Sequence, residues 1–361
     1  MKKSILIATA SAIILASCAE SDTFNQIDEV PIGFTKVYIE KGTKAITTGA
    51  YTTANFETVG NTFGVFGYKK TSTQPKTLLF DDQEVEYKSN LSTDLYESAT
   101  DWAYTPLKYW DKSAIEYNFY AYAPHESDFT GTVALSDNDN TKFSISGFKQ
   151  ATTQASMIDL MTDLNSQKQV NGTDIGKNDV AFTFTHILSN INVKMAVSDK
   201  LKADNTDNPV TVVSLTLGAI KLDGDYAYNT TASKYNWTLA ATPTTQTFPA
   251  TQTSGNVFAS DALDNQTNGY TDVPAMTNLL FVPQTLDAAY KFTIQYKIAN
   301  EVFDKEILLS EFKNANNASL PTWEPGYKYT YNIVIGPTPI LFDLKEVNEW
   351  GDGGTYAYVI E

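Results

Sequence analysis

The sequence predicts an all-β protein with two β-sandwich domains, and three observations lead to this prediction. Apolar and polar residues alternate with a period of two in many short segments, which is typical of half-buried strands. Stretches rich in Asn, Asp, Gly and Thr separate these segments, as turns do in sandwiches. The 361 residues less the first 17 leave 344, and this length predicts two domains at about one to two hundred residues each.

The chain begins with the features of a lipoprotein signal peptide, predicted over residues 1–17. Two lysines precede an apolar run over residues 5–15 that is too short to span a bilayer. Small residues end at Ser17, and Cys18, the one cysteine of the chain, follows directly. We expect cleavage between Ser17 and Cys18, a palmitoylated Cys18 that anchors the protein in the outer membrane, and a tether over residues 18–29. An ordinary secretory signal with an unmodified cysteine is the alternative.

Composition excludes several classes of partner and site. The net charge is −16, and every one of the 26 basic residues is a lysine, so nucleic acid and other polyanions are not expected partners. With its cysteine used for lipid, the chain has no thiol left for a disulfide. The absence of arginine removes the bidentate clamps that bind phosphate.

Strands are predicted in chain order by the alternation of Val, Ile, Thr, Tyr and Phe with polar residues. Two short segments, 156–164 and 310–315, have helical patterns instead. A polar, glycine-containing stretch at 165–179 predicts the domain boundary, with an N-terminal sandwich over 30–178 and a C-terminal sandwich over 179–361. The predicted strands are 31–40, 62–68, 115–122, 182–197, 210–217, 290–298 and 328–335.

No catalytic residue, metal site or cofactor is predicted, so we do not expect an enzyme. The two histidines, His125 and His186, are too few for a His/Cys metal site, and the acylated cysteine cannot act as a nucleophile. Asp137-Asn138-Asp139 begins like a calcium loop but lacks its glycine and closing glutamate, which favours a turn. Large aromatic residues, which could line a glycan-binding face, are more often core residues in a sandwich; these are Trp102, Trp110 and Trp237.

Five segments with recognisable motifs follow one another along the chain. They are Ile-Gly-Phe at 32–34 with Gly-Thr-Lys-Ala at 42–45, Tyr-Trp at 109–110 with the aromatic strand 117–124, Phe-Thr-Phe-Thr-His at 182–186 continuing to 191, Trp-Glu-Pro-Gly-Tyr at 323–327, and Asn-Glu-Trp-Gly at 348–351. Together they resemble the fimbrillin family, the fimbrial subunit lipoproteins of gut and oral anaerobic bacteria. This resemblance implies two tandem transthyretin-like β-sandwich domains and a structural subunit of cell-surface fimbriae, or pili, that supports adhesion.

The resemblance also implies a maturation step. In the family a protease cuts after a basic residue, the first strand leaves, and the strand of a neighbouring subunit fills its place. Here the corresponding cut falls between Lys44 and Ala45, which makes residues 30–44 a removable first strand. The family's usual arginine is replaced by lysine, so the protease must accept lysine. A cut after Lys41, or no cut and a subunit that stays lipid-bound as an anchor or accessory, are the alternatives.

The C-terminal residues 355–361 are the candidate donor strand. Their alternating sequence follows the glycine-rich stretch 351–354, which would act as a hinge, although the same residues could simply pair within their own domain. The expected partners are other fimbrial subunits, self or paralogous, while a surface adhesin or tip subunit that binds host glycans or proteins is the alternative function. The candidate donor residues are Thr355, Tyr356, Ala357, Tyr358, Val359 and Ile360.

Overall fold

The protein is all-β, as the sequence predicts. The computed structural model describes residues 30–34, 36–39, 52–91, 100–136, 142–164, 169–171, 174–176, 179–198, 210–228, 235–242, 244–249, 251–252, 255–256, 271–272, 276–298, 301–314, 319–336, 341–343, 351–352 and 356–357. Within these ranges the α-helical content is one turn, α1 (Thr53–Phe56), and three-residue 3-10 turns lie at Glu126–Asp128, Gln154–Ser156 and Leu309–Glu311. No helix in the described ranges has the length and apolarity needed to cross a membrane.

The first ten strands in the described residues are β1 (Lys36–Ile39), β2 (Thr62–Thr71), β3 (Thr77–Ser89), β4 (Thr100–Ala103), β5 (Ala114–Ala123), β6 (Thr130–Ala134), β7 (Ser144–Lys149), β8 (Met161–Asp163), β9 (Gln169–Asn171) and β10 (Ala181–His186). Eight of them form one sheet in the order β1-β10-β8-β5-β2-β3-β4, with β9 also paired to β5. This sheet is antiparallel except at its edge, where β1 runs parallel to β10.

The remaining strands are β11 (Ser189–Val197), β12 (Val210–Ile220), β13 (Asp223–Tyr228), β14 (Tyr235–Leu239), β15 (Thr244–Pro249), β16 (Thr251–Gln252), β17 (Gly255–Asn256), β18 (Thr271–Asp272), β19 (Leu279–Phe281), β20 (Gln284–Thr285), β21 (Lys291–Ile298), β22 (Glu301–Leu308), β23 (Lys313–Asn314), β24 (Thr322–Trp323), β25 (Tyr327–Ile335), β26 (Leu341–Asp343), β27 (Gly351–Asp352) and β28 (Tyr356–Ala357). A six-stranded sheet is built around the parallel pair β11 and β25, and β15-β12-β21-β22 form a four-stranded sheet. A second four-stranded sheet, β14-β13-β7-β6, combines strands from both halves of the chain.

The eight-stranded sheet has a different hydrophobic core on each face. Alternation along β2 directs Phe63 and Val65 into the smaller core and Phe66 and Tyr68 into the larger one. Strand β5 divides in the same way, because adjacent side chains point to opposite faces of a strand. The larger core continues through the other sheets to β25. The smaller core lies on the face that also buries the first residues described, 30–39.

Two predicted segments have a different structure from the one expected. The helix predicted at 156–164 is wrong, because after the 3-10 turn the chain extends into β8, which forms a ladder with β5 and β10. The helix predicted at 310–315 is also wrong beyond its first turn, since β23 pairs with β28. In both places inter-strand hydrogen bonds override a weak local helical pattern.

The chain passes from the eight-stranded to the six-stranded sheet between His186 and Ser189, so the predicted strand 182–197 is two strands in two sheets. The domain division predicted at residues 178 and 179, and the transthyretin-like topology of each domain, stay predictions. The predicted calcium-like turn at Asp137–Asp139 lies outside the described residues.

Candidate functional site: the first segment and its groove

The first segment, defined as residues 30–34 and 36–39, is an extended stretch with one apolar face. Its inward side chains are Ile32, Phe34, Val37 and Ile39, all of which are buried in the smaller core. They are spaced by two, three and two positions, so the inward face shifts by one residue between Phe34 and Val37. The side chain of Tyr38, by contrast, is 49% exposed. The sequence therefore folds as a strand with one face in the core and the other in water.

Main-chain hydrogen bonds hold the first segment on both of its edges. Residues 108–110 line one edge and Val180 lines the other. Further along, β1 pairs in parallel register with β10, from Lys36 opposite Ala181 to Ile39 opposite Phe184. The bonds at the start of the segment run from Ile32 N to Lys108 O (2.8 Å), from Trp110 N to Val30 O (2.9 Å) and from Val180 N to Gly33 O (2.8 Å).

Phe34 is the central anchor of the segment and is 1% exposed. Its ring lies in a socket of five aromatic rings, with centroid distances from 5.4 to 6.3 Å. Most of these contacts are edge-to-face or tilted, the arrangements that aromatic quadrupoles favour. We call the surface under the segment the groove. The socket in the groove that holds the Phe34 ring is lined by Phe63, Phe80, Tyr104, Phe119 and Phe182.

The hydroxyl of Tyr104 joins the groove to the segment. It donates to the carbonyl oxygen of Ile32 at 2.7 Å and accepts from the main-chain N–H of Lys108 at 3.2 Å. Tyr104 thus packs its ring against Phe34 while its polar end satisfies two buried main-chain groups. A buried hydroxyl that finds such partners adds specificity to an apolar pocket.

A charged turn supports the edge of the groove at residue 110. The carboxylate of Asp111 accepts hydrogen bonds from the hydroxyl and the main-chain N–H of Ser113, at 2.6 and 2.9 Å, and from the Lys69 ammonium at 3.0 Å. These donors, with the Ser113 hydroxyl first, lower the pKa of Asp111 to about 2 from an ordinary 3.8. The turn that positions Trp110 is therefore fixed by an ionised carboxylate at every pH above that range.

Gly33 passes very close to Asp179. A Cβ atom placed on Gly33 would lie 2.2 Å from Asp179 Oδ1 and 2.8 Å from its Cγ, much closer than carbon and oxygen atoms approach without a bond. The main-chain N–H of Val180, the residue after Asp179, donates the hydrogen bond to Gly33 O. The same main-chain contact that fixes the register therefore brings the Asp179 carboxylate against Gly33.

The other predicted site residues are distributed as follows. Ser17, Cys18, Lys44 and Ala45 lie outside the described residues, as do Thr355, Tyr358, Val359 and Ile360. Of the candidate donor strand, Tyr356–Ala357 form β28, a two-residue antiparallel pair with β23. Gly33, Tyr104 and Asp179 were not identified from the sequence, because nothing in it signals that positions 70 to 150 residues apart meet.

The histidine and tryptophan residues considered in the sequence have structural roles in the described ranges. His186 Nδ1 lies 2.8 Å from Asp159 Oδ1, and both side chains are buried. No group of three or more His, Cys, Asp or Glu side chains within the described ranges is arranged to hold a metal ion. Trp102 and Trp110 belong to the smaller core, and the Trp237 indole N–H donates to Ile187 O at 2.9 Å. Trp102 and Trp110 therefore do not form an exposed glycan-binding face.

Comparison with known proteins gives the same family as the sequence motifs. A model of the fimbrillin-like family matches residues 43–350. The fimbrium subunit Fim1C of Phocaeicola vulgatus is 26% identical over 97% of both chains. The crystal structure of a fimbrial protein from Bacteroides vulgatus superposes with a TM-score of 0.58 at 22% identity, over 90% of this chain and 99% of that one.

Fimbrillin-like proteins are structural subunits of cell-surface fimbriae and are not a class of enzymes, so the expectation that this chain is not an enzyme is confirmed. The crystal structure supports the fold, and the family model, which covers most of the chain, supports the role. The chain belongs to the fimbrillin-like family.

Proposed function

We propose that this fimbrial subunit assembles by donor-strand exchange: the first segment leaves its groove, and residues 355–361 of a neighbouring subunit take its place. The observation that carries the proposal is the position of the first segment. Its continuation β1 is the outermost strand of the eight-stranded sheet, yet the segment supplies four fully buried apolar side chains. Residues 30–34 contact residues 102–110 on one edge and Val180 on the other through the main chain, so loss of the segment would open unpaired main-chain groups on both sides of empty apolar pockets.

The burial energy is large enough to make the exchanged state long-lived. Four buried side chains at about 1.5 to 3 kcal/mol each contribute roughly 6 to 12 kcal/mol before ordering costs. An incoming strand that fills the same pockets recovers most of this free energy. Dissociation of the inserted strand would then be slow, so the stability of the fimbria would be kinetic.

The C-terminal end supports the proposal from the donor side. In the described residues its last strand, β28, pairs with β23 over only two residues. So short a ladder contributes little stability, because isolated pairs of strands are marginal in water. The proposed exchange would break this ladder in the donor subunit and replace it by pairing in the groove of the neighbour.

Export and maturation belong to the same proposal. Cys18 carries the lipid that holds the precursor in the outer membrane, and a cut between Lys44 and Ala45 frees the first segment. The released subunit then joins other fimbrial subunits at the cell surface. Because the chain has no arginine, the protease must accept lysine at this position.

Two variants of the full chain test the proposal in the native cell. Deletion of residues 355–361 should abolish the high-mass ladders that denaturant-resistant polymers give on gels, and Lys44→Ala should leave the precursor uncut. Lys41→Ala is the matched control, since it removes the lysine at the alternative cut position and should leave ladders unchanged. Mass spectrometry of surface material should find an N-terminus at Ala45.

Unchanged ladders after deletion of residues 355–361 would reject this stretch as the donor strand. An N-terminus at Cys18 on all polymeric material would reject the cleavage step. If both results were found, a lipid-anchored surface adhesin or accessory subunit would be the better description.

A further inference from the structure

We infer that Asp179 makes the groove selective for its occupant: the residue that faces Asp179 must be glycine or alanine, with a large apolar residue on each side. In a fimbria this position is taken by Ala357 of a second copy of the chain, between Tyr356 and Tyr358. The inference rests on the proposed donor-strand exchange and adds the register and a selection rule to it.

The register follows from the main chain of the groove. The N–H of Val180 donates to Gly33 O at 2.8 Å, and any strand that replaces the segment must offer a carbonyl oxygen to this buried donor. The residue that offers it stands where Gly33 stands. Its Cβ atom would then lie 2.2 Å from Asp179 Oδ1, so the Asp179 carboxylate limits the size of that residue.

The two neighbouring positions make the opposite demand. Ile32 and Phe34 are each 1% exposed, and Phe34 alone occupies a socket of five aromatic rings. An occupant with small side chains at these positions would leave cavities, which are costly in a packed core. The groove therefore requires the pattern large, small, large over three consecutive residues, as Ile32-Gly33-Phe34 provides.

Among the candidate donor residues the pattern occurs once. Ala357 is flanked by Tyr356 and Tyr358, whereas Thr355 follows Gly354 and so has a large neighbour on one side only. Val359 has two large neighbours but is itself branched at Cβ, where Asp179 leaves the least room. The assignment applies to a donor strand that enters in the same direction as the segment it replaces, because a reversed strand that offered its carbonyl oxygen to Val180 would direct that residue's side chain to the opposite face.

Alanine is tolerated because the obstacle is the end of a side chain. The Asp179 carboxylate can turn about its own side-chain bonds to clear a single methyl group. A branched residue places two further methyl groups in the same space, and overpacking of this kind is destabilising. Asp179 thus admits glycine and alanine and rejects valine.

The test compares surface ladders of full-length variants in the native cell. Ala357→Val should reduce ladders about tenfold or more, the factor that corresponds to about 1.4 kcal/mol. The double variant Asp179→Ala/Ala357→Val should give ladders within about threefold of those of Asp179→Ala alone, the factor set by about 0.7 kcal/mol. Asp179→Asn, which keeps the size of the side chain, should not rescue Ala357→Val. Thr355→Val is the matched control, because it places the same β-branched side chain two residues away in the donor strand, and it should reduce ladders less than Ala357→Val does.

Thermal unfolding of the purified Ala357→Val monomer should match wild type, which separates assembly from folding. If deletion of residues 355–361 abolishes ladders while Ala357→Val leaves them intact, the selection rule is wrong and donor-strand exchange stands. Failure of Asp179→Ala to restore ladders to the valine variant would also overturn the rule. If the deletion itself leaves ladders unchanged, the proposed function fails first.

Discussion

Replacing Phe34 by alanine measures how strongly the groove holds its occupant. The side chain is 1% exposed and surrounded by five aromatic rings. Removing a buried phenylalanine costs about 3 to 5 kcal/mol, which combines lost transfer energy with the cavity left behind. The rings of the socket are anchored in β2, β3, β5 and β10 and in the residue after β4, so they cannot easily collapse into the space. We therefore expect a value near 4 kcal/mol, toward the middle of this range.

Urea unfolding of the purified chain from residue 19 onward, which lacks the lipid, is a suitable assay. With a slope of about 3 kcal/mol per molar or more for a chain of this size, the midpoint should fall by on the order of 1 M. Tyr38→Ala is the matched control in the same segment, because Tyr38 is 49% exposed and surface substitutions usually change stability by about 0.5 kcal/mol or less. A loss below about 1 kcal/mol for Phe34→Ala, at unchanged slope, would refute the view that Phe34 anchors the segment.

Three further substitutions test other contacts. Tyr104→Phe removes the hydroxyl that donates to Ile32 O and should cost about 1 to 3 kcal/mol in the same urea assay; no loss would mean that water replaces the hydroxyl. Asp111→Asn should reduce the fall in stability between about pH 4 and pH 2. A carboxyl whose folded pKa is lowered to about 2 contributes stability above that range, and this contribution is lost as the pH falls. Urea midpoints measured at both pH values check this, and equal falls in both proteins would contradict it. Gly224→Ala would place a Cβ 2.8 Å from the main-chain oxygen of Thr238, which should strain the β13–β14 pair by about 1 to 3 kcal/mol. The melting temperature of the variant should therefore be lower, and an unchanged melting temperature would show that β14 can shift.

The strands were predictable from the sequence because their signal is local. The predicted segments 62–68, 115–122, 210–217 and 328–335 all coincide with observed strands, which extend by one to three residues beyond most of them. Alternation along each strand reflects its own two faces and needs no knowledge of the partner. The helices predicted at 156–164 and 310–315 were wrong because pairing with strands distant in the sequence sets the conformation of these segments, and a local pattern does not show that pairing.

The geometry of the groove was not predictable in this way. The segment was recognised as a strand, but its neighbours are residues 102–110 and 179–184, far away in sequence. The shift of its inward face between Phe34 and Val37 follows from a change of partner, from the antiparallel contacts around Lys108 and Trp102 to the parallel ladder with β10. The sequence shows this shift as the spacing of two, three and two positions between the apolar residues, but the spacing does not identify the partner on either side of the shift.

The separation of the two cores would allow the subunit to remain folded after the loss of its first segment that the proposed exchange requires. Every buried apolar residue of the segment belongs to the smaller core, and none belongs to the larger core that joins β2 and β5 to β25. Loss of the segment would therefore open one face of the eight-stranded sheet while the other face stayed packed. The exposed pockets would be held in shape by strands whose opposite side chains remain buried, so the groove would be preorganised for an incoming strand. In the proposed exchange, the larger core would keep the subunit folded while the face of the sheet that lines the smaller core binds the incoming strand.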